Sequence, residues 1–141
     1  MKSQFMKTTN AKLMLSVFAY LIPTMILGMV WHFVWFHELY DSFGIYNRKD
    51  PIIPLGFGSM LFQGLIIAYL YPYYAAERHS IGTSLKFSLI MGFFLFTVST
   101  LANAAKIEVM SMANWLIVQF FFHLLVSSVV GVLISLVYRR G

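Results

Sequence analysis

Cysteine is absent from the 141 residues. That removes disulfides, thiolate metal sites, cysteine nucleophiles and covalent c-type haem in one step. Charge is scarce as well. Asp, Glu, Lys and Arg make up 11% of the chain, where a soluble domain averages about a quarter. Acidic residues are the rarest, five against ten Lys and Arg. The net charge of +5 does not point to nucleic acid, because the cations are scattered between long apolar runs and form no basic face. Cationic ends beside a membrane explain it more simply.

What fills the chain instead is apolar. Hydrophobic residues account for 60% and aromatics for 18%, and the mean hydropathy is +0.77. A soluble protein of this size leaves too much of its surface exposed to hide that much. Disorder is excluded for the opposite reason, since there is so much to bury. The composition is that of an integral membrane protein.

Residues 13–37, 51–76, 87–105 and 109–138 contain no Asp, Glu, Lys or Arg. Each run can cross roughly 30 Å of hydrocarbon as a helix of about 20 residues. Barrel strands would alternate apolar and polar residues over about ten positions, and these runs are continuous. The expected spans are 13–36, 52–72, 85–105 and 114–138, within a single transmembrane domain covering 1–141. Lys2, Lys7 and Lys12 flank the first run as they would a signal peptide. The run is too long for one, and Trp31, His32 and Trp35 stand where a cleavage site would be, so it reads as a retained helix.

Orientation follows the distribution of Lys and Arg. Lys2, Lys7, Lys12, Arg78, Lys86, Arg139 and Arg140 fall on one side, and Arg48, Lys49 and Lys106 on the other. Both termini are therefore expected in the cytoplasm, with the protein in the inner membrane. Glu38, Asp41, Asp50 and Glu108 fall on the outer side. Trp31, Trp35 and Trp115 suit an outer aromatic belt, and Tyr71, Tyr73, Tyr74 and Tyr138 an inner one. Short loops make neighbouring helices antiparallel, which gives an all-α, up-down four-helix bundle. Pro54 suits the first turn of the second helix, and Pro23 removes a hydrogen bond to Ala19 and should kink the first. Gly64-Leu-Ile-Ile-Ala68-Tyr-Leu-Tyr71 resembles Gly131-Val-Leu-Ile-Ser135-Leu-Val-Tyr138. Duplication of a helical hairpin would produce such a pair.

Polar side chains inside spans are the best pointer to function. Five stand out: His32, Gln63, Asn103, Gln119 and His123. At 1.5 Å per residue they lie roughly 3 Å (Asn103) to 16 Å (Gln63) below the outer helix ends. The functional reading is an outward-facing ligand pocket with Gln63 and His123 at its floor. The plain reading is that these groups hydrogen-bond across helices and hold the bundle together.

No cofactor is expected. The two buried histidines could clamp a haem iron, but their depths differ by about 8 Å. His37-Glu38-Leu-Tyr-Asp41 begins like the zinc-protease helix motif and has Asp where the second His belongs. His37 and Asp41 could share a metal only with a third ligand from elsewhere; otherwise they mark a polar helix end extended past Phe36. His79, beside Glu77 and Arg78, reads as an exposed loop residue. Ser127 and Ser128 have no acid partner, so no nucleophile is assembled. Gly56-Phe-Gly58-Ser59 lies within a helix and is no phosphate loop. Ser127, Gly131 and Ser135 form a small-residue ladder, as do Gly64 and Ala68, Thr24 and Gly28, and Ser88 and Gly92. Such ladders let helices approach closely, within the bundle or towards a partner.

Trp31-His32, Pro51-Ile-Ile-Pro54-Leu-Gly-Phe, Leu101-Ala-Asn-Ala-Ala-Lys106 and Trp115 together resemble an uncharacterised group of bacterial four-span membrane proteins, carried as a domain of unknown function. The resemblance implies four helices and no activity. Size and span count are also similar to those of the small multidrug-resistance transporters. That resemblance implies a Glu within the first helix, and this chain has none.

Three functions are therefore expected to compete. The first is a non-catalytic accessory subunit that associates with itself or with a larger membrane complex. The second is a ligand-binding or small transport protein using the polar pocket. The third is a haem- or metal-binding oxidoreductase subunit. The expected partners are membrane lipid, further copies or other membrane subunits, and no nucleic acid.

Overall fold

The computed structural model describes residues 10–45 and 50–139, and no strand occurs among them. Lys2, Lys7, Arg48, Lys49 and Arg140, five of the ten cations used for orientation, lie outside the described residues. Four helices are long and apolar enough to cross a membrane: Asn10–Trp35, Ile53–Ala75, Ile81–Ala104 and Met112–Arg139. The first consists of α1 (Asn10–Val30) followed by a π-helical segment, Trp31–Trp35. A short helix, α2 (His37–Ser42), follows a break at Phe36. The second span-length helix is α3 (Ile53–Ala75). The third runs through α4 (Ile81–Phe96), a second π segment (Thr97–Leu101) and α5 (Ala102–Ala104). The fourth is α6 (Met112–Arg139).

Local chemistry accounts for the boundaries. Pro54 sits in the first turn of α3, where its missing N–H has no intrahelical partner to lose. The third helix starts a turn earlier than residue 85 because Ser80 caps it. Its Oγ accepts the Thr83 N–H at 3.1 Å, satisfying one of the free donors of the first turn. Lys86 therefore belongs to α4 and not to the preceding loop. α3 ends at Ala76, whose φ of 51° breaks the helix. Pro23 lies buried within α1. No residue pattern marks either π segment in advance.

Residue pairs fix the antiparallel arrangement. α1 meets α3 where Tyr20 reaches Gln63. It meets α6 where Lys12 lies 5.6 Å over the Tyr138 ring. α4 lies against α6, with Ser99 beside His123 and Leu85 beside Gly131. α3 and α4 touch far less than these pairs do. Two hairpins, α1/α3 and α4/α6, are thus joined mainly through α1 and α6.

The small-residue ladders are used inside the chain. A Cβ on Gly131 would stand 2.8 Å from the Leu85 Cα. One on Gly92 would stand 2.6 Å from the Ser127 Cβ, and one on Gly64 would stand 3.2 Å from the Tyr20 ring. Each even-numbered span thus receives the preceding span at its glycine. The terminal tyrosines of the two repeats, Tyr71 and Tyr138, meet edge to face at 4.8 Å.

Two core clusters close the ends. At the Tyr71 end, Tyr71, Phe87, Ile134 and Tyr138 are buried together. Tyr71 also hydrogen-bonds Ser84 Oγ at 2.5 Å. At the α2 end, Trp31, Phe43, Trp115 and Val118 form the second cluster. Two of the three tryptophans are therefore core residues, and only Trp35 is broadly exposed. The same holds for the tyrosines expected in the other belt: Tyr71 and Tyr138 are buried and Tyr74 is exposed. Elsewhere the surface is apolar. At most about a third of any span-length helix is buried within the fold.

Candidate functional site

The two π segments lie at the α2 end, one on each side of a cavity system. A π turn is wider than an α turn and re-aims the side chains on it. In the first, His32 Nδ1 donates to the Gly28 carbonyl at 2.8 Å. A carbonyl only accepts, so the proton sits on Nδ1 and Nε2 keeps the lone pair of the neutral ring. Tyr40 of α2 covers the His32 ring, with centroids 4.5 Å apart. The Tyr40 hydroxyl donates to Gln119 Oε1 at 2.7 Å. In the second π segment, Ser99 Oγ lies 3.1 Å from His123 Nε2.

The cavity system has two compartments. A groove of about 850 Å³ runs between α1, α2 and the start of α3, past His32, Tyr40, Ile52 and Leu55. A cavity of about 240 Å³ lies deeper, walled by all four long helices. Thr24, Gly28 and Met60 line both compartments, so the two adjoin. The deeper cavity contains Gln63, Ser88 and His123 and has no Asp, Glu, Lys or Arg in its wall.

Hydrogen bonding holds these groups in place. Gln63 Oε1 accepts from the Tyr20 hydroxyl, and Gln63 Nε2 donates to Ser59 Oγ at 3.1 Å. Ser88 is different: its side chain is 3% exposed and its hydroxyl has no hydrogen-bond partner among the described residues. A helical serine ordinarily bonds back to a carbonyl of the preceding turn, as Ser16, Ser127 and Ser128 do here. A buried hydroxyl left unpaired is costly. Ser88 therefore offers a donor and an acceptor to whatever occupies the cavity. Sequence reading missed it as a cavity residue because a serine inside a helix carries no pattern of its own.

The five polar residues singled out from the sequence separate into groups. Gln63 and His123 share the deeper cavity, and His32 lines the groove. Gln119 is half-buried and is held by Tyr40. Asn103 lies outside both linings; its Nδ2 donates to the Ser99 carbonyl at 2.7 Å, inside the second π segment. His37 and Asp41 pair at 3.3 Å on the exposed side of α2, at the rim of the groove.

No three His, Asp or Glu side chains come together among the described residues. The Phe122 ring stands edge-on to both buried imidazoles, 4.8 Å from His32 and 5.5 Å from His123.

His79 is not the exposed loop residue the sequence suggests. It is half-buried and stacks on Tyr138 at 4.7 Å, with Tyr71 at 5.7 Å. Burial, and then the nearby Lys12 charge, hold its pKa below the ordinary histidine value.

Comparison of the chain with protein-family models, curated proteins and solved structures found no match. The resemblance drawn from short motifs therefore gains no support, and function rests on the site alone.

Proposed function

We propose that the chain is a four-span integral membrane protein of the inner membrane, with both termini in the cytoplasm and the α2 end outside. In this reading it is non-catalytic and binds or moves a small ligand held in the cavity at the outer half of the bundle. Apolar side chains cover the four helices on their outer faces, as lipid contact requires and water does not tolerate over such an area. One observation carries the ligand reading. Gln63, His123 and an unpartnered, buried Ser88 line one cavity without ionic side chains, and that cavity adjoins an open groove.

The test is native mass spectrometry of the protein extracted from its own membrane in a mild detergent. The expected result is a mass above the chain mass that is lost in His123→Ala while helix content is kept. A parent that carries nothing, together with an unaltered variant, would leave the cavity groups as structural hydrogen bonds only.

A second reading keeps the protein as an accessory subunit that associates with itself or with a larger complex. Its support is α3, whose most apolar 18-residue stretch is the least buried of the four and which leaves Phe57, Phe62, Leu65 and Ile66 exposed. The ladders no longer support it, because Gly64, Ala68, Ser127, Gly131 and Ser135 are turned into the chain. Foreign subunits in the same spectrum would establish this reading in place of the first.

A further inference from the structure

We infer that the ligand of this cavity is a neutral, single-tailed amphiphile that arrives sideways from the bilayer through the cleft between α1 and α3. The inference rests on the ligand-binding reading above and names its ligand class and its route.

The route comes from the walls. The groove begins on a face where Met25, Met29, Phe33, Ile52 and Leu55 are exposed. Along α1 and α3 this mouth faces acyl chains, while the exposed His37 and Asp41 mark its watery rim at the α2 end. Thr24, Gly28 and Met60 border both compartments and are the residues a ligand passes on its way inward. Two glycines keep the cleft wide. A Cβ on Gly56 would meet nothing within 4 Å, and one on Gly28 would meet only the Phe122 ring edge at 3.9 Å. Met25, Met29, Met60 and Met91 border the path, and thioether side chains adapt to varied apolar shapes.

The ligand class comes from charge and size. The deeper cavity has no ionic side chain to balance a phosphate, carboxylate or ammonium, and an unpaired charge there would be strongly disfavoured. Ser88 instead asks for one hydrogen bond, and His123 and Gln63 line the same cavity from two other helices. A hydroxyl or ester head satisfies them. A cavity of about 240 Å³ holds about eight water-sized groups at ~30 Å³ each. That is enough for a head and its first carbons, so the tail must lie in the groove. A two-tailed phospholipid fails on both counts.

The probe is a monoacylglycerol with a diazirine near its ester, added to the full-length protein in dioleoylphosphatidylcholine vesicles. After irradiation, adducts are mapped by peptide mass spectrometry, and the exposed Phe62 and Phe94 serve as the reference for surface lipid. Adducts are expected on cavity residues Met60, Met91 and Phe122 at several times the reference, and unlabelled monoacylglycerol should compete for them. Gly56→Trp should reduce the cavity adducts at least tenfold by filling the cleft. Gly58→Trp should leave them intact, because Gly58 also has open space around it but lines neither compartment.

Cavity adducts that survive Gly56→Trp, or that fall equally in both variants, overturn the sideways route and leave the cavity reading standing. Parent adducts no stronger than the reference overturn the amphiphile. If native mass spectrometry then finds a water-soluble ligand that His123→Ala releases, only the ligand class has failed. If it finds no ligand at all, the cavity reading fails with it.

Discussion

Ser88, Ala76 and His79 each carry a consequence that can be measured singly. Ser88→Ala removes a buried hydroxyl that makes no bond among the described residues, so the empty protein should gain up to about 1 kcal/mol in a thermal scan. The same change should weaken retention of the co-purifying ligand. A serine without a role in binding would show the first effect and not the second. Ala76 holds φ at 51°, a region that costs a side-chain-bearing residue about 1 kcal/mol or more. Ala76→Gly should therefore raise stability by roughly 1 kcal/mol, and no gain would show that the strain is absorbed elsewhere. For His79 the sign follows from its lowered pKa. The unfolded chain takes the proton first, at about pH 6.5, while the folded chain resists it. The stability that neutral His79 contributes is complete above that pH and is lost as the pH falls through the lower, folded value. Melting temperatures of the parent and of His79→Phe in detergent, compared from pH 7.5 down to 5, should diverge only in the acid half. Parallel curves would show that the ring is not held neutral.

Elements meet here through close backbone approach rather than through hydrophobic burial, because lipid is as apolar as the helix faces it would cover. Gly131 shows this most clearly, since any Cβ there would strike the Leu85 backbone of α4. Gly131→Leu should therefore separate the α4/α6 hairpin and destabilise the chain itself by about 3 kcal/mol or more. It should do so in the monomer as readily as in any assembly. A variant with unaltered melting that loses only a partner would reverse that conclusion. The π segments belong to this scale too. Each gives up regular α-helical hydrogen bonding over five residues, and a side chain meets a main-chain carbonyl at each: His32 at Gly28 and Asn103 at Ser99.

For the whole molecule, the absence of cysteine makes topology easy to read. Glu38 on α2 and Glu77 beyond α3 are both exposed, at opposite ends of the bundle. Glu38→Cys should react with a membrane-impermeant maleimide in intact cells. Glu77→Cys should react only after the membrane is opened. The reverse pattern would turn the molecule over and place the cavity on the cytoplasmic side.

The run lengths between charged residues determined the number of long helices, because a backbone in hydrocarbon must satisfy its own polar groups. The short loops determined their alternation. Gln63 and His123 could be marked as unusual from sequence, since polar groups are rare in such runs. What sequence could not supply was the rotation of each helix about its axis, because an outer face against lipid and an inner face against protein are both apolar. Tertiary structure decided that the glycine ladders face inward, that Trp31, Trp115, Tyr71 and Tyr138 are core residues, and that Asn103 and Gln119 stand apart from Gln63 and His123. It alone also placed Ser88 in the cavity wall without a partner. Hydropathy fixes how deep a residue lies along its helix, and only contact between helices fixes which way it points.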